Sequence, residues 1–269
     1  MAEQKDTLVV ERAEQLWQPG TRREFLRLLG VGGTVVMLPA VFGACSDDDD
    51  GPVGPPNGDE GVTLNLGNDT GILNYAYALE QLEAGFYVAV VGSAAFNGMN
   101  AEQQEVFTDL RNHEVIHREF LKAALGDDAI DSLELDQATV TAALASTESI
   151  LQTSEAFEDL GVAAYNGAGK YLTDPALLTI AGKIVSVEAR HAAAIRDMRE
   201  GAGLAGTPAG TRFAGDDVVN SSGLDVKFEP SAVLARVVAT GFVTTEVSIG
   251  TQPPNRQGTT DAGPPNPTP

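Results

Sequence analysis

Apolar residues recur at intervals of three and four along four stretches of the chain, a spacing that predicts amphipathic helices. The first helix is predicted from about 69 to 96, before the breaker Asn97-Gly98-Met99-Asn100. A second helix is predicted from Ala101 to about Leu125, where Gly126 ends it.

Two further helical regions follow. The third covers about 136 to 168 and is expected to bend or divide near Ser146. The fourth begins after Asp174 and Pro175, a capping residue followed by a proline in the first turn, and runs to about Glu200. Four such helices with short connections predict an all-α, antiparallel four-helix bundle.

The composition changes on both sides of the bundle. A fifth helix is a candidate after Pro230, although Val243-Thr244-Thr245-Glu246-Val247 also fits a strand. The predicted organisation is a signal peptide at 1–44, an acidic flexible tether at 45–68, the bundle at 69–200, a Gly-rich linker at 201–228, a candidate C-terminal helix at 229–248 and a disordered tail at 249–269.

The overall charge limits the choice of partner. The 269 residues include 38 acidic and 17 basic side chains, giving a net charge of −21. A nucleic-acid partner is not expected, because phosphate binding needs a basic surface. The acidic surface fits solubility or a salty habitat, and it also fits the attraction of metal cations.

The N-terminus carries an export pattern. Thr21-Arg22-Arg23-Glu24-Phe25-Leu26 has the twin-arginine signature, and the apolar stretch 28–44 is short for a membrane-spanning helix but normal for a signal peptide. The sequence Val41-Phe42-Gly43-Ala44-Cys45 resembles a lipobox, with Phe42 departing from the usual aliphatic residue. We therefore expect lipidation at Cys45 and an extracytoplasmic, membrane-tethered protein in the cell envelope; cleavage nearby without lipidation is the alternative.

All three histidines lie in two copies of one spacing. The segments His113-Glu114-Val115-Ile116-His117 and Glu188-Ala189-Arg190-His191 each contain Glu-x-x-His, which places a carboxylate and an imidazole on the same face of a helix. These polar residues share the apolar stripe of their helices. Ionised side chains on a buried stripe are costly unless they are paired or coordinated, so the spacing predicts metal ligands.

A dinuclear site of this type needs one more carboxylate from each of the other two helices. Glu80 on the first helix and Glu158 on the third are the preferred candidates, because each precedes a tyrosine by seven residues. Glu155 and Glu83 are held in reserve. The chain thus reads as two copies of one helical hairpin.

The two tyrosines of this repeat are Tyr87 and Tyr165. Residues seven apart share a helix face, so each tyrosine is expected near the glutamate of its own helix, with its hydroxyl hydrogen-bonded to a ligand. The alternative is that both tyrosines serve only in helix packing.

Residues 70 to 200 resemble a ferritin-like four-helix bundle, and more narrowly the ferritin-like domain of desiccation-related proteins. The likeness lies in Leu79-Glu80-Gln81-Leu82-Glu83-Ala84-Gly85-Phe86-Tyr87, Gly161-Val162-Ala163-Ala164-Tyr165 and Val187-Glu188-Ala189-Arg190-His191-Ala192. The resemblance implies that Glu114 and Glu188 bridge two ions. It also implies terminal carboxylates at Glu80 and Glu158, and one nitrogen ligand per ion from His117 and His191.

Four carboxylates offset the charge of two divalent ions, which lowers the cost of burying the site. Oxygen-rich ligands with one imidazole each favour two Fe or Mn ions, with Fe preferred. Two redox-active ions could act on O2 or peroxide in an oxidase, peroxidase or catalase reaction, and nothing in the sequence selects among these.

Two other interpretations remain open. His113-Glu114-x-x-His117 also matches the helix of zinc metallopeptidases, with Glu134 as a third ligand. That reading leaves Glu188, His191 and the repeat unexplained. The other interpretation is a structural or binding bundle without turnover.

Overall fold

The computed structural model describes residues 61–201 and 214–253. The architecture is an all-α bundle of four long helices, which confirms the predicted fold class. In chain order the elements are β1 (Val62–Leu64), α1 (Asp69–Val91), α2 (Ala94–Asn97), α3 (Ala101–Leu125), a 3-10 turn (Gly126–Asp128), α4 (Gln137–Ala143), α5 (Thr147–Ala168), a second 3-10 turn (Gly169–Tyr171), α6 (Pro175–Gly201), α7 (Pro230–Thr240) and β2 (Val247–Ile249).

The four long helices associate as two hairpins, α1 with α3 and α5 with α6. Side-chain caps set where they begin. Asn68 Oδ1 accepts from Gly71 N at 2.9 Å at the start of α1, and Asn100 and Gln103 form a reciprocal capping box on α3. Ser146 caps α5, at the point where the sequence predicted a break in the third helical region.

The first helix is shorter than predicted. It ends at Val91, and Ser93 then caps the four-residue helix α2 by accepting from Phe96 N at 3.0 Å. Gly92 and Ser93 are poor helix formers, and the serine hydroxyl offers the backbone a local alternative to continued helix.

The crossover from α3 to α5 is fastened to α1 by two buried amides. Asn74 donates to Asp128 O at 2.8 Å and accepts from Ile130 N at 2.9 Å. Gln81, two turns further along, accepts from Leu133 N at 2.7 Å. Because these side chains pair with loop backbone, both amides can be buried in the bundle without losing their hydrogen bonds.

The prediction of a flexible tether at 45–68 is wrong at the C-terminal end of that segment. Val62–Leu64 form β1, which pairs in parallel with β2 in the register Val62↔Val247 and Leu64↔Ile249. Val62 and Leu64 are buried, so apolar burial as well as backbone pairing holds the strand. The rest of the predicted tether lies outside the described residues.

The C-terminal segment contains both a helix and a strand. Helix α7 ends at Thr240 and is followed by Gly241, whose φ of 69° suits a residue without a side chain. Strand β2 comes next. The predicted helix to residue 248 is therefore too long, and the strand alternative is correct at Val247–Ile249. The tail prediction is wrong at its first residue, Ile249, because that residue is paired in the strand.

The predicted signal peptide, Cys45 and most of the predicted tail lie outside the described residues. Within the described ranges, none of the helices has both the length and the apolar character needed to cross a membrane.

Candidate metal centre

Six polar side chains from four helices meet in the middle of the bundle. Helices α1 and α5 supply Glu80 and Glu158, and the other two long helices supply the Glu-x-x-His pairs. The ligand-type atoms form two overlapping groups in which all atoms lie within 4.8 Å of one another. The first contains Glu80, Glu114, His117 and Glu188, and the second contains Glu114, Glu158, Glu188 and His191.

Glu114 and Glu188 each face both histidines. Glu114 Oε2 lies 3.3 Å from His117 Nδ1, and its Oε1 lies 2.9 Å from His191 Nδ1. Glu188 Oε1 lies 2.9 Å from His117 Nδ1, and its Oε2 lies 3.8 Å from His191 Nδ1. Each of these carboxylates therefore lies between the two imidazoles, with one oxygen toward each.

Glu80 and Glu158 face one histidine each. Glu80 Oε2 lies 3.5 Å from His117 Nδ1, and Glu158 Oε2 lies 3.3 Å from His191 Nδ1. The four glutamates have no solvent exposure, and the side chains of His117 and His191 keep 12% and 6%. The two histidine ring centroids are 6.5 Å apart.

The buried carboxylates of the centre raise the pKa values of the two imidazoles. Burial alone would lower the pKa of His191, but the carboxylates of Glu114, Glu158 and Glu188 raise it to about 12. Glu114, Glu188 and Glu80 raise the pKa of His117 in the same way, against the effect of burial. Protons on both imidazoles therefore offset part of the carboxylate charge when no metal is bound.

The carboxylates respond differently to this environment. Burial opposes ionisation of Glu114, yet the neighbouring imidazoles of His117 and His191 lower its pKa to about 2. Burial raises the pKa of Glu158 to about 8, despite its contact with His191. Burial and the neighbouring charge of Glu188 raise the pKa of Glu80 well above its usual range.

Hydrogen bonding satisfies this cluster only in part. One imidazole Nδ1 carries at most one proton, yet each Nδ1 has three carboxylate oxygens within 4.0 Å. Within the described part of the chain, the buried atoms without a hydrogen-bond partner include Glu80 Oε2, Glu114 Oε1, Glu158 Oε2, both Glu188 oxygens and His191 Nδ1. Burying polar atoms without hydrogen-bond partners is costly. A group of oxygen and nitrogen atoms that converge in this way is therefore suited to coordinate cations.

The tyrosines bind across the bundle instead of within their own helix. Tyr87 on α1 donates to Glu158 Oε1 on α5 at 2.6 Å, and Tyr165 on α5 donates to Glu80 Oε1 on α1 at 2.5 Å. Residues seven apart on a helix are separated by about 10 Å along the axis, so each phenol reaches the facing helix more readily than its own glutamate. Both hydroxyls contact predicted ligands, but not the glutamates that the sequence repeat suggested.

The reserve carboxylates lie in different places. Glu155 forms an ion pair with Arg199, with Oε1 2.6 Å from Nη1, and it belongs to neither group of ligand-type atoms. Glu83 is 3% exposed and lies beside the cluster, although it too belongs to neither group of ligand-type atoms. Burial and the charges of Glu188 and Glu158 raise its pKa well above the usual range.

His113 contacts the centre from outside. Its Nδ1 lies 2.9 Å from His191 Nε2, the nitrogen that faces away from the carboxylates, and the two rings are nearly parallel. His113 is not part of either Glu-x-x-His unit, so the sequence pattern predicted no partner for it. Its position four residues before His117 put both on one side of α3, but only the packing of α6 against α3 brings His191 within reach.

The metallopeptidase reading requires His113 and His117 to bind one ion together. Of these two histidines, only His117 has its Nδ1 among carboxylates, whereas His113 Nδ1 contacts the imidazole of His191. Glu134 is exposed in the crossover segment, where its backbone N–H donates to Thr245 Oγ1. This geometry does not support a zinc site of that type.

The fold and the centre define a class: a four-helix bundle with a buried carboxylate and histidine cluster that could hold metal ions. Comparison with protein families agrees, because residues 68–201 match the family model described as a ferritin-like domain. This part of the chain is therefore a ferritin-like domain. A comparison with curated proteins finds no match for the chain.

Proposed function

We propose that this protein binds two iron or manganese ions at the six-residue centre and serves as an exported ferritin-like redox protein. The convergence of two Nδ1 atoms on four buried carboxylates supports this most directly, since every ligand-type atom faces the same interior region. Glu114 and Glu188 would bridge the ions. The terminal ligands would be Glu80 and His117 on one ion, and Glu158 and His191 on the other.

The chemistry follows from the donor set. Four carboxylates and two imidazoles suit Fe and Mn, and iron is preferred. A pair of redox-active ions supplies electrons for the reduction of O2 or peroxide when it is bound. The protein would exclude bulk water, hold the ligands in place through the phenols of Tyr87 and Tyr165, and admit small molecules near His117, whose side chain keeps 12% exposure.

Metal analysis of the full chain, purified after export from its own cell type, tests this proposal. Two Fe or Mn per chain is the expected result. One zinc would instead favour the metallopeptidase, and no metal would favour a structural bundle without turnover.

Anaerobic loading with Fe²⁺ followed by O2 or H2O2 tests turnover separately. We expect a diferric absorption band to develop after oxidant is added. Metal uptake without such a band would limit the function to metal binding. An oxidase, peroxidase or catalase role in desiccation or oxidative stress rests on the likeness to desiccation-related proteins.

Export by the twin-arginine route and attachment through a lipidated Cys45 form part of the same proposal. The sequence Thr21-Arg22-Arg23-Glu24-Phe25-Leu26 supports the route, and Cys45 follows the apolar segment. The double change Arg22→Lys and Arg23→Lys should retain the protein in the cytoplasm. Cys45→Ser should release it from the membrane fraction, and membrane association of that variant would contradict the lipid anchor.

A further inference from the structure

Helices α1 and α5 carry one glutamate and one tyrosine of the centre at the same spacing, but they differ at a position between these two residues. Adding 78 to the residue number takes Glu80 to Glu158 and Tyr87 to Tyr165, so each half of the repeat supplies one carboxylate and one phenol. The same step takes Glu83 to Gly161. One half therefore has a buried carboxylate where the other has no side chain.

The missing side chain makes room for the extra carboxylate. A Cβ placed on Gly161 would lie 3.0 Å from Glu83 Oε1, which is closer than most Cβ contacts. The Glu83 carboxylate thus occupies space on the far side of the bundle, against α5. Its Oε2 is buried and has no hydrogen-bond partner in the described part of the chain.

The position of Gly161 also indicates which half of the centre Glu83 approaches. The same Cβ point lies 3.6 Å from Glu188 Oε2, the oxygen that faces His191; the other Glu188 oxygen faces His117.

We propose that Glu83 is a fifth carboxylate ligand, which binds the ion held by Glu158 and His191 and makes the two ion positions unequal. This inference rests on the proposed dinuclear centre. One ion would have its terminal glutamate, its histidine and the two bridges, and the other would have the same set with Glu83 added. The site would consequently fill in two steps of different affinity, with the Glu83 position filling first.

Calorimetric titration of the metal-free full chain with Mn²⁺ tests the inference. The wild type should show two unequal binding steps. Glu83→Gln keeps the shape of the side chain and removes its ability to bind as a carboxylate, and it should weaken the tighter step by at least about tenfold while leaving the other unchanged. Glu155→Gln is the matched control, because it removes a charge from the Arg199 pair outside the cluster.

Single-site backgrounds locate the effect. In His117→Ala, the remaining ion lies at the Glu158 and His191 position, and adding Glu83→Gln should weaken its binding by the same factor. In His191→Ala, the remaining ion lies at the Glu80 and His117 position, and Glu83→Gln should leave its affinity unchanged. The opposite pattern, or equal weakening in both backgrounds, would overturn the assignment.

The outcomes separate this inference from the proposed function. Failure of the wild type to bind Mn²⁺ would contradict both. Two ions bound equally well by the wild type and Glu83→Gln would contradict only the role of Glu83. If Glu83→Gln does not fold, Gly161→Ala decides: its Cβ displaces the Glu83 carboxylate and should weaken the tighter step, and unchanged affinity would overturn the inference.

Discussion

At the residue scale, the centre is held by contacts that each join different helices. Glu158 illustrates this: one oxygen accepts from the Tyr87 phenol on α1, and the other lies 3.3 Å from His191 Nδ1 on α6. With one oxygen fixed by a neutral donor, the second is left directed at the ion position. Glu80 has the same arrangement through Tyr165 and His117.

The role of the phenols gives the first prediction. Tyr87→Phe removes the hydrogen bond to Glu158, so the metal-free protein should lose about 1–3 kcal/mol of unfolding free energy and the centre should lose about tenfold in Mn²⁺ affinity. Tyr165→Phe should behave alike because it makes the equivalent contact with Glu80. Urea denaturation and Mn²⁺ titration measure the two effects.

Tyr171→Phe provides the control for the phenols. Tyr171 donates to Glu229 at 2.6 Å on the protein surface, away from the centre. The Tyr171→Phe variant should keep the Mn²⁺ affinity of the wild type and lose no more than about 1 kcal/mol of unfolding free energy. Equal loss of metal affinity in this variant and in Tyr87→Phe would show that the phenols do not act through the ligands.

The three histidines give a second prediction, which separates the dinuclear centre from the metallopeptidase. His191→Ala removes the nitrogen ligand of one ion and should reduce binding from two ions to one. His113→Ala removes only the contact to His191 Nε2, so both ions should still bind, with affinity for one lowered by about tenfold. Metal analysis after dialysis distinguishes them. A chain that keeps its metal in His191→Ala and loses all of it in His113→Ala would favour the metallopeptidase.

At the element scale, two glycines in long helices have opposite surroundings. Gly167 in α5 lies against the loop before α7, where a Cβ would be 1.8 Å from Phe228 O. Gly182 in α6 is exposed, and a Cβ there would meet nothing within 4 Å. A hydrogen bond from Phe228 N to Ala163 O, at 3.0 Å, also joins the backbone of this loop to that of α5.

A third prediction follows from this contrast. Gly167→Ala should destabilise the protein by at least about 1–3 kcal/mol, because helix and loop must separate. Gly182→Ala should stabilise it by up to about 1 kcal/mol, because alanine loses less backbone entropy in a helix. Chemical denaturation of the metal-free chain measures both, and a stabilised Gly167→Ala variant would contradict the packing of this loop against α5.

The helices were predictable from local signals, whereas the contacts between distant segments were not. Capping residues and breakers such as Asn100, Ser146 and Gly126 act within a few residues, so the sequence pattern locates helix ends near them. The pairing of β1 with β2 joins residues about 185 positions apart, and three-residue strands leave little periodic signal. For the same reason the crossed phenol contacts and the His113 partner required the packing of the helices.

The residues of the candidate centre also fall into two groups: those that local spacing predicts and those whose surroundings depend on helix packing. The Glu-x-x-His spacing on α3 and α6 predicted four of the side chains that cluster in the structure, because both members of each pair lie on one helix face. The choice of Glu158 over Glu155 rested on the repeat, and in the structure Glu155 is paired with Arg199. Glu83 gave no sequence signal beyond its helix position, since its nearest surroundings come from Gly161 on another helix.

At the scale of the whole molecule, the bundle contains a buried cluster of titratable groups that could hold metal ions. In the metal-free protein, the imidazoles and several carboxyl groups hold protons more tightly than they would in the unfolded chain. Metal ions would displace these protons, so the stability of the fold and the occupancy of the site are linked through pH.

The linkage gives the final prediction: the difference in Tm between Mn²⁺-loaded and metal-free protein should widen from about pH 5 to about pH 8. The pKa of Glu158 is raised from 4.5 to about 8, so its contribution to metal-free stability is complete below about 4.5 and is lost as pH rises to about 8. His191, raised from 6.5 to about 12, loses its contribution across the upper part of that range and beyond. Glu114, lowered to about 2, contributes above about 4.5 and changes only under more acidic conditions.

Thermal melts at several pH values, with excess Mn²⁺ or with a chelator, measure the difference directly. Bound ions replace the protons, so the loaded protein should keep stability that the metal-free protein loses. The double variant His117→Ala and His191→Ala should show little difference between the two conditions at any pH, because it lacks both nitrogen ligands. A wild-type difference that narrows toward pH 8 would mean that the cluster does not exchange protons for cations, and the metal-binding proposal would then lose its thermodynamic basis.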